Sequence, residues 1–531
     1  MEISMKKIIL SSLLIILPLI VVGCGNTHYV FKDAAPIQQL NDKTASAVPD
    51  KTDFDYAEYA VTSSARYPIT NYFDVRRTPR SKDVNSMDET VASTWYTPRL
   101  GSQNLNGESL LQGPVNVGPP QTPITVVKTK EIGDTSGFIV EDKRGKRYLI
   151  KFDPIDFPGV QSTINLVVNR LFWGFGYNVP EDYIFYFKRN ELSVDSSINE
   201  NDVESVLFES ETNDNGDYQA TASLLIDGDI LGPVSQKGTR KNDSNDTIPH
   251  EQLRALRALH VFSTWTDHSG MRSDNSLDTY VGNSGSGHTV HYLLDFGEAL
   301  GAHGIGKGRD WDGFEHYFDL GDSIKKFVKL GLFVAPWENF DLDVGDPRGS
   351  FEAVGFDPAT WKESLQFQPI QQSLPDDDYW AAKIVSHVSR DDLETLFDAT
   401  NNSNSDYTQY LIDTLMVRKE KVLDYFLYQV SPVESNGVTN GQLQITDLGQ
   451  KLSGSKNIQY EVNFYNQKNK KVGDKLTLEN QGTDFSIPIN SALQNTNGYL
   501  RVDVRVWKDG KKVPRSAEFH IRNNKLVGVI H

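Results

Sequence analysis

The sequence predicts an α+β protein: a mixed core of strands and helices, followed by a small C-terminal β-sandwich. Three observations predict it. Short apolar runs between residues 124 and 152 are separated by turn residues, the pattern of paired strands. From Val160 onward apolar residues recur mostly at steps of three and four, which is helical spacing. From Ile458 the period becomes two, which places alternate side chains on opposite faces of a strand.

The chain begins with the pattern of an export signal. Lys6 and Lys7 supply the positive start, and Ile8 to Val22 is an apolar run short for a transmembrane span. The run ends in Val21-Val22-Gly23-Cys24. Small residues ahead of a cysteine resemble the lipobox of bacterial lipoprotein precursors, in which the thiol is acylated and the cleaved chain starts at the cysteine. The alternative is a plain secretory signal with an incidental cysteine. Cys24 is the only cysteine in the chain, so it cannot form an internal disulfide. The expectation is a signal peptide over 1–23, palmitate-type lipid on Cys24, and attachment to a bacterial membrane at the cell envelope. Several acyl chains together hold a protein firmly where one does not.

The 531 residues carry a net charge of −18. That balance argues against nucleic acid as a partner, because phosphates would be repelled. It also supplies no polybasic patch for anionic lipid, which leaves anchoring to the acyl groups. The histidines show no HExxH or Cys/His ligand spacing, so a zinc site is not expected.

Residues 24–83 are polar and aperiodic and read as a tether or disordered linker. A core domain is expected over 84–430, and residues 101–123, rich in Gly, Pro, Asn and Gln, form a loop within it. Strands are expected at Ile124–Val127, Phe138–Val140 and Tyr148–Phe152, the last two joined by a turn at Arg144-Gly145. Val160, Ile164, Val167, Val168, Leu171, Phe172 and Phe175 mark a helix that Gly174 and Gly176 end. Further strands fall at Tyr183–Phe187 and Ala220–Ile226, and a helix at Glu251–Trp265. The remainder to 430 is mainly helical, with Ser389 as a helix cap and a long final helix through Tyr407, Leu411, Leu415 and Val422. Residues 431–441 read as a polar linker. In the sandwich, 442–531, Ile458, Tyr460, Val462 and Phe464 alternate with polar residues, as do Leu500, Val502, Val504 and Val506; Asp509-Gly510 makes a hairpin turn.

Three segments could carry chemistry. The first is Lys151, on a strand preceded by a turn holding Gly133 and Gly137. Glycine lets a loop approach phosphates, and a strand lysine can pair with them; the ordinary alternative is a lysine at a sheet edge. The second is Trp265 to Asp278, a polar stretch after a helix, in which Asn275 could hold a metal and Asp267 could orient a hydroxyl. Its alternative is a helix-capping loop. The third is His291-Tyr292-Leu293-Leu294-Asp295-Phe296-Gly297, a strand running into an acidic residue suited to magnesium, which takes hard oxygen donors. The order is lysine, helix, polar loop, metal aspartate.

With that order, and with Ser93-Thr94-Trp95-Tyr96-Thr97-Pro98-Arg99, Gly176-Tyr177-Asn178-Val179-Pro180-Glu181, Phe356-Asp357-Pro358 with Trp361, and Asp378-Tyr379-Trp380-Ala381-Ala382, the chain from Val84 onward resembles a family of bacterial envelope lipoproteins. The core of that family is similar to atypical protein kinases of the toxin and spore-coat types. The resemblance implies a two-lobed kinase-like domain, with an N-lobe over 84–230 and a C-lobe over 231–430. It implies Lys151, Gly133 and Gly137 on a nucleotide, Asn275 and Asp295 on magnesium or manganese, and ATP as the nucleotide. Two positions depart from the pattern. The catalytic aspartate belongs five residues before the metal asparagine, where this chain has Gly270; Asp267, three residues earlier, would replace it only in a remodelled loop. Asn165 stands where a helix glutamate would hold the lysine. A degenerate, pseudokinase-like domain binding nucleotide or a protein partner is one reading. An active phosphotransferase or nucleotidyltransferase on an envelope component is the other, since positioning and electrostatics supply much of phosphoryl-transfer catalysis. Export places the domain where nucleotide is scarce. The β-sandwich is expected to dock an envelope protein or glycan.

Overall fold

The computed structural model describes residues 29–73, 78–130, 136–213, 215–303, 306–309, 311–317, 351–479 and 481–531. Cys24 and Gly133 lie outside them. The chain is a mixed α+β protein. Its first sheet is built from β1 (Ile124–Thr129), β2 (Gly137–Asp142), β3 (Arg147–Phe152), β4 (Asp182–Phe187), β5 (Leu192–Val194) and β6 (Tyr218–Leu224), in the order β4-β6-β3-β2-β1-β5. β1 and β5 run parallel and the other neighbours antiparallel. Ile124, Val126, Phe138, Val140, Tyr148 and Ile150 alternate onto one buried face, the packing that period two dictates.

α1 (Val160–Phe175) is buried nearly all round: every residue except Trp173 is buried, including Asn165, Asn169 and Arg170. It packs against β4 and β6 on one side and helical segments on the other. Gly174 lies inside this helix, and Gly176 ends it at φ 120°, where a Cβ would come within 2.1 Å of the Tyr96 ring.

The single helix expected over Glu251–Trp265 is broken. A 3₁₀ turn (His250–Gln252) and a short helix (Arg254–Arg257) precede α2 (Leu259–Thr266). The cause is tertiary: the Asp83 carboxylate accepts the Arg254 and Ala255 N–H groups at 2.6 and 3.0 Å and caps a new start there. A second sheet follows, with β7 (Asp229–Gly232), β8 (Ser276–Val281) and β9 (His288–Leu293) in that spatial order. α3 (Pro375–Ser386) and α4 (Ser405–Phe426) pack on α2 to complete the largest apolar core. No helix among the described residues is long and apolar enough to cross a membrane.

Two expected connectors are ordered elements. Within the expected tether, residues 29–73 are bound along the body. Leu40 N–H donates to Ala92, Ser46 N–H to Gly287 and Thr52 N–H to Leu231, at 2.8, 3.0 and 2.8 Å. Phe31 N–H donates to the Tyr499 hydroxyl at 3.2 Å, and its ring covers Gly528. Residues 56–73 are helical, whereas the extended part before them bonds to distant backbone at separated points and so carries no periodicity of its own. The expected linker 431–441 contains a strand, Val433–Thr439, paired with Gln442–Asp447. A bulge between Ser435 and Gly437 breaks the alternation that would have marked it.

The C-terminal strands form two sheets. Val433–Thr439, Gln442–Asp447 and Asp484–Pro488 make one. Leu476–Glu479, Ile458–Asn466, Tyr499–Lys508, Ala517–Arg522 and Lys525–Ile530 make the other, with the short Lys511–Lys512 strand paired to the end of Tyr499–Lys508. Tyr460 faces Val506, Val462 faces Val504 and Phe464 faces Val502. Val433, Leu443, Ile445 and Ile487 from the first sheet share one buried cluster with these residues. The turn at Asp509 and Gly510 has φ of 50° and 74°, the left-handed pair that favours Asp-Gly.

A buried charge network joins this region to the core. Lys383 on α3 lies between Glu89 and Glu434, at 2.8 and 2.7 Å. Arg254 pairs with Asp88, Asp376 and Asp377, and His531 Nδ1 meets Asp88 at 2.8 Å. In the Asp376-Asp377-Asp378 run, Asp376 and Asp377 are matched by arginines and Asp378 by His260 and Ser373, so the run is structural charge.

Candidate functional site

The site forms where β3, the turn after β9 and the loop after α2 meet. β3 pairs with β2 so that Lys151 stands opposite Gly137. A Cβ on Gly137 would lie 2.2 Å from the Ile150 carbonyl oxygen, so close strand approach alone demands glycine there. Lys151 is buried at its side chain, 7% exposed, yet its Nζ donates to Asp295 Oδ1 at 2.7 Å; the Asp295 side chain is 35% exposed. Burial pushes the Asp295 carboxyl up, but the Lys151 ammonium outweighs this, with Lys130 and Arg272 adding to it, and holds it down to about 2. Asp295 has φ 54°, a left-handed backbone that aspartate tolerates, and such conformations cluster at functional sites.

Asn275 sits on a 3₁₀ turn, Ser273–Asn275, directly before β8. Its Nδ2 donates to the Gly270 carbonyl at 2.7 Å, and its own carbonyl accepts the Leu294 N–H at 2.9 Å. These bonds tie the loop to the residue preceding Asp295. The Asn275 amide oxygen and the Asp295 carboxylate are hard donors of the type that magnesium or manganese accepts, with phosphate oxygens and water completing its shell. No group of three His, Cys, Asp or Glu side chains that could hold a metal occurs among the described residues.

Asp267 is engaged elsewhere. Its Oδ1 accepts Trp361 Nε1–H at 2.8 Å and an Arg418 N–H at 3.4 Å, beside a cavity of about 10 Å³, room for at most one water. Burial pushes its carboxyl up, against Arg418 and Trp361. The carboxylate of Asp267, expected as the catalytic residue, ties the loop to Trp361 and α4. Asn165 is engaged elsewhere as well. It bonds Asp182 at 2.6 Å and receives the Phe296 N–H at 3.3 Å, bracing the Asp295-Phe296-Gly297 turn rather than the lysine.

Several residues of the site carry no sequence signal as strong as Asp-Phe-Gly. Arg272 holds Glu298 through two bonds of 2.8 and 3.1 Å, and the Glu298 carboxyl is lowered because this arginine outweighs its burial. Glu298 follows Gly297 directly, so adjacency to that motif could have flagged it. Asp312 is pushed up to about 7 by burial, with Asp267 and Glu298 adding to the rise. Asp182 is raised by burial and lies within electrostatic reach of Lys151.

The other sequence motifs support the site without entering it. Trp95 stacks on His291 at 3.8 Å; His291 Nδ1 meets Asp278 at 2.6 Å, and Asp278 meets Arg240 at 2.6 Å. Asn178 donates to the carbonyls of Thr94 and His291, both at 2.9 Å. A surface groove of about 650 Å³, lined by Phe356, Asp357, Pro358, Lys421 and Tyr425, contains none of Lys151, Asn275 or Asp295.

No protein-family model matches the chain, and no curated protein matches it. A solved structure does. It is a Golgi casein kinase with manganese and ADP bound, 9% identical, covering 57% of this chain and 71% of its own, with a TM-score of 0.30. A likeness so distant assigns a role to no residue, and the chemistry rests on the geometry above.

Proposed function

We propose that the cleft at Lys151, Asn275 and Asp295 binds a nucleotide together with a divalent metal, in a kinase-like two-lobed core. The observation that carries this reading is the Lys151–Asp295 pair. A buried lysine is paired with a partly exposed aspartate that it keeps ionised, groups suited to meet a phosphate and a cation respectively. The metal, when bound, neutralises phosphate charge. Lys151 contributes a second positive charge, and the Asn275–Gly270 bond fixes the amide. Gly270 leaves this loop position without the usual proton acceptor, so the function proposed for the cleft is binding.

The domain is carried by a lipoprotein anchored at Cys24 to a membrane of the bacterial cell envelope. The two C-terminal sheets around one apolar core act as a β-sandwich that docks an envelope protein or glycan. Calorimetry on the full chain in detergent, with ATP and either magnesium or manganese, tests the site. The expected result is metal-dependent binding. Absence of a signal at millimolar ATP would end the nucleotide reading.

A further inference from the structure

Gly270 stands five residues before Asn275, where loops of the D-x-x-x-x-N type carry the aspartate that accepts the substrate hydroxyl proton. The space for that side chain is filled. A Cβ on Gly270 would lie 2.5 Å from Glu298 Oε2 and 3.1 Å from Glu298 Cδ. An aspartate's own carboxylate oxygens lie about 2.4 Å from its Cβ, from ordinary bond lengths and angles. Glu298 therefore brings a carboxylate oxygen to the same distance from this backbone position as the missing residue would. Gly270 is not among the positive-φ glycines, so space rather than backbone conformation demands glycine.

The Glu298 carboxylate is held in place. Arg272 grips both of its oxygens, His268 Nδ1 meets its backbone carbonyl at 2.9 Å, and the side chain is 12% exposed. We propose that Glu298 replaces the absent aspartate and receives the proton of a hydroxyl nucleophile, water included, in phosphoryl transfer from ATP. This rests on the nucleotide reading of the cleft. The nucleophile's oxygen bonds to the γ-phosphorus as its proton passes to Glu298. The bond between the γ-phosphorus and the β–γ bridging oxygen breaks, and its electron pair leaves on ADP. A loose transition state asks little of a base, so a carboxylate paired with arginine is sufficient.

The test uses the full chain in detergent with ATP and manganese, reading ATP affinity by calorimetry, phosphate release, and self-phosphorylation by mass. The wild type is expected to bind ATP and release phosphate slowly. Glu298→Gln is expected to keep its ATP affinity within about twofold while release slows about 100-fold, the share a general base supplies. Gly270→Asp combined with Glu298→Gly is expected to restore release to within about tenfold of wild type, because removing the Glu298 Cβ as well, 2.9 Å from a Cβ on Gly270, gives the aspartate its space. Three outcomes overturn the proposal and leave nucleotide binding intact: a wild type that binds ATP but releases no phosphate, Glu298→Gln at the wild-type rate, or a double variant that binds ATP and stays inactive. A parallel loss of affinity and rate in Glu298→Gln also overturns it, since Glu298 would then only prop Arg272. Failure of the wild type to bind ATP removes the cleft reading itself.

Discussion

Lys151 and Asp295 are 144 positions apart in sequence and 2.7 Å apart in space. The Lys151 ammonium holds the Asp295 carboxyl in its charged form. Lys151→Met should weaken ATP affinity at least about tenfold, or 1.4 kcal/mol, by removing the phosphate's partner. Asp295→Ala should leave any residual ATP binding indifferent to magnesium or manganese. Titration calorimetry with and without metal measures both; unchanged metal dependence in Asp295→Ala would refute its assigned role.

Stability should fall as pH rises from about 5 to 8. Asp153 is raised to about 6, mainly by burial; Glu211 is raised to about 7 by burial and the neighbouring Asp153. Asp503 is raised to about 7 by burial and Glu518, against Arg501 and Arg505. A carboxyl raised above its unfolded value is neutral in the fold at low pH. Its contribution is complete below the unfolded value and is lost as pH climbs through 6 to 7. His250, His260 and His531 are raised as well and act in the same direction, while His268 and His387 are lowered and oppose it. Melting temperatures across this window should decline, and Glu211→Gln should flatten the decline. A melting temperature that rises from pH 5 to 8 would contradict these assignments.

The Lys383–Glu434 pair secures the C-terminal sheets to α3, and Glu434 also accepts the Tyr379 hydroxyl at 2.9 Å. Glu434→Ala leaves that hydroxyl unpaired and Lys383 with Glu89 alone. The loss should be about 2 kcal/mol, in the range for hydrogen bonds to charged groups. Denaturant unfolding measures it, and Glu434→Gln should lose less.

Gly176→Ala should cost at least about 2 kcal/mol, because a strained φ and a clash with Tyr96 coincide at the end of α1. A melting temperature within a degree of wild type would show that Tyr96 can move aside.

Cys24→Ser should move the protein from the membrane fraction to the soluble fraction. The bonds of residues 29–73 to the body should survive the change, since none of them involves the anchor. Fractionation of cells expressing each form measures the first, and amide exchange over residues 40–52 the second.

Periodicity alone marked β1 to β3, α1, α4 and the long strands around Tyr460 and Val504, because each buries one regular face or is buried all round. The order of lysine, helix, polar loop and Asp-Phe-Gly, together with the resemblance that it carries, joined Lys151, Asn275 and Asp295 as a set. The break before α2, the strap over residues 29–73 and the bulged strand at Val433 were decided only in three dimensions. The first two bond to Asp83, Ala92, Gly287 and other distant groups, which no local pattern records, and in the third the bulge interrupts the alternation. The same limit separated Asp267 from Glu298. Both are acidic residues close to a recognisable motif, and only side-chain packing turns one toward Trp361 and Arg418 and sets the other beside Gly270.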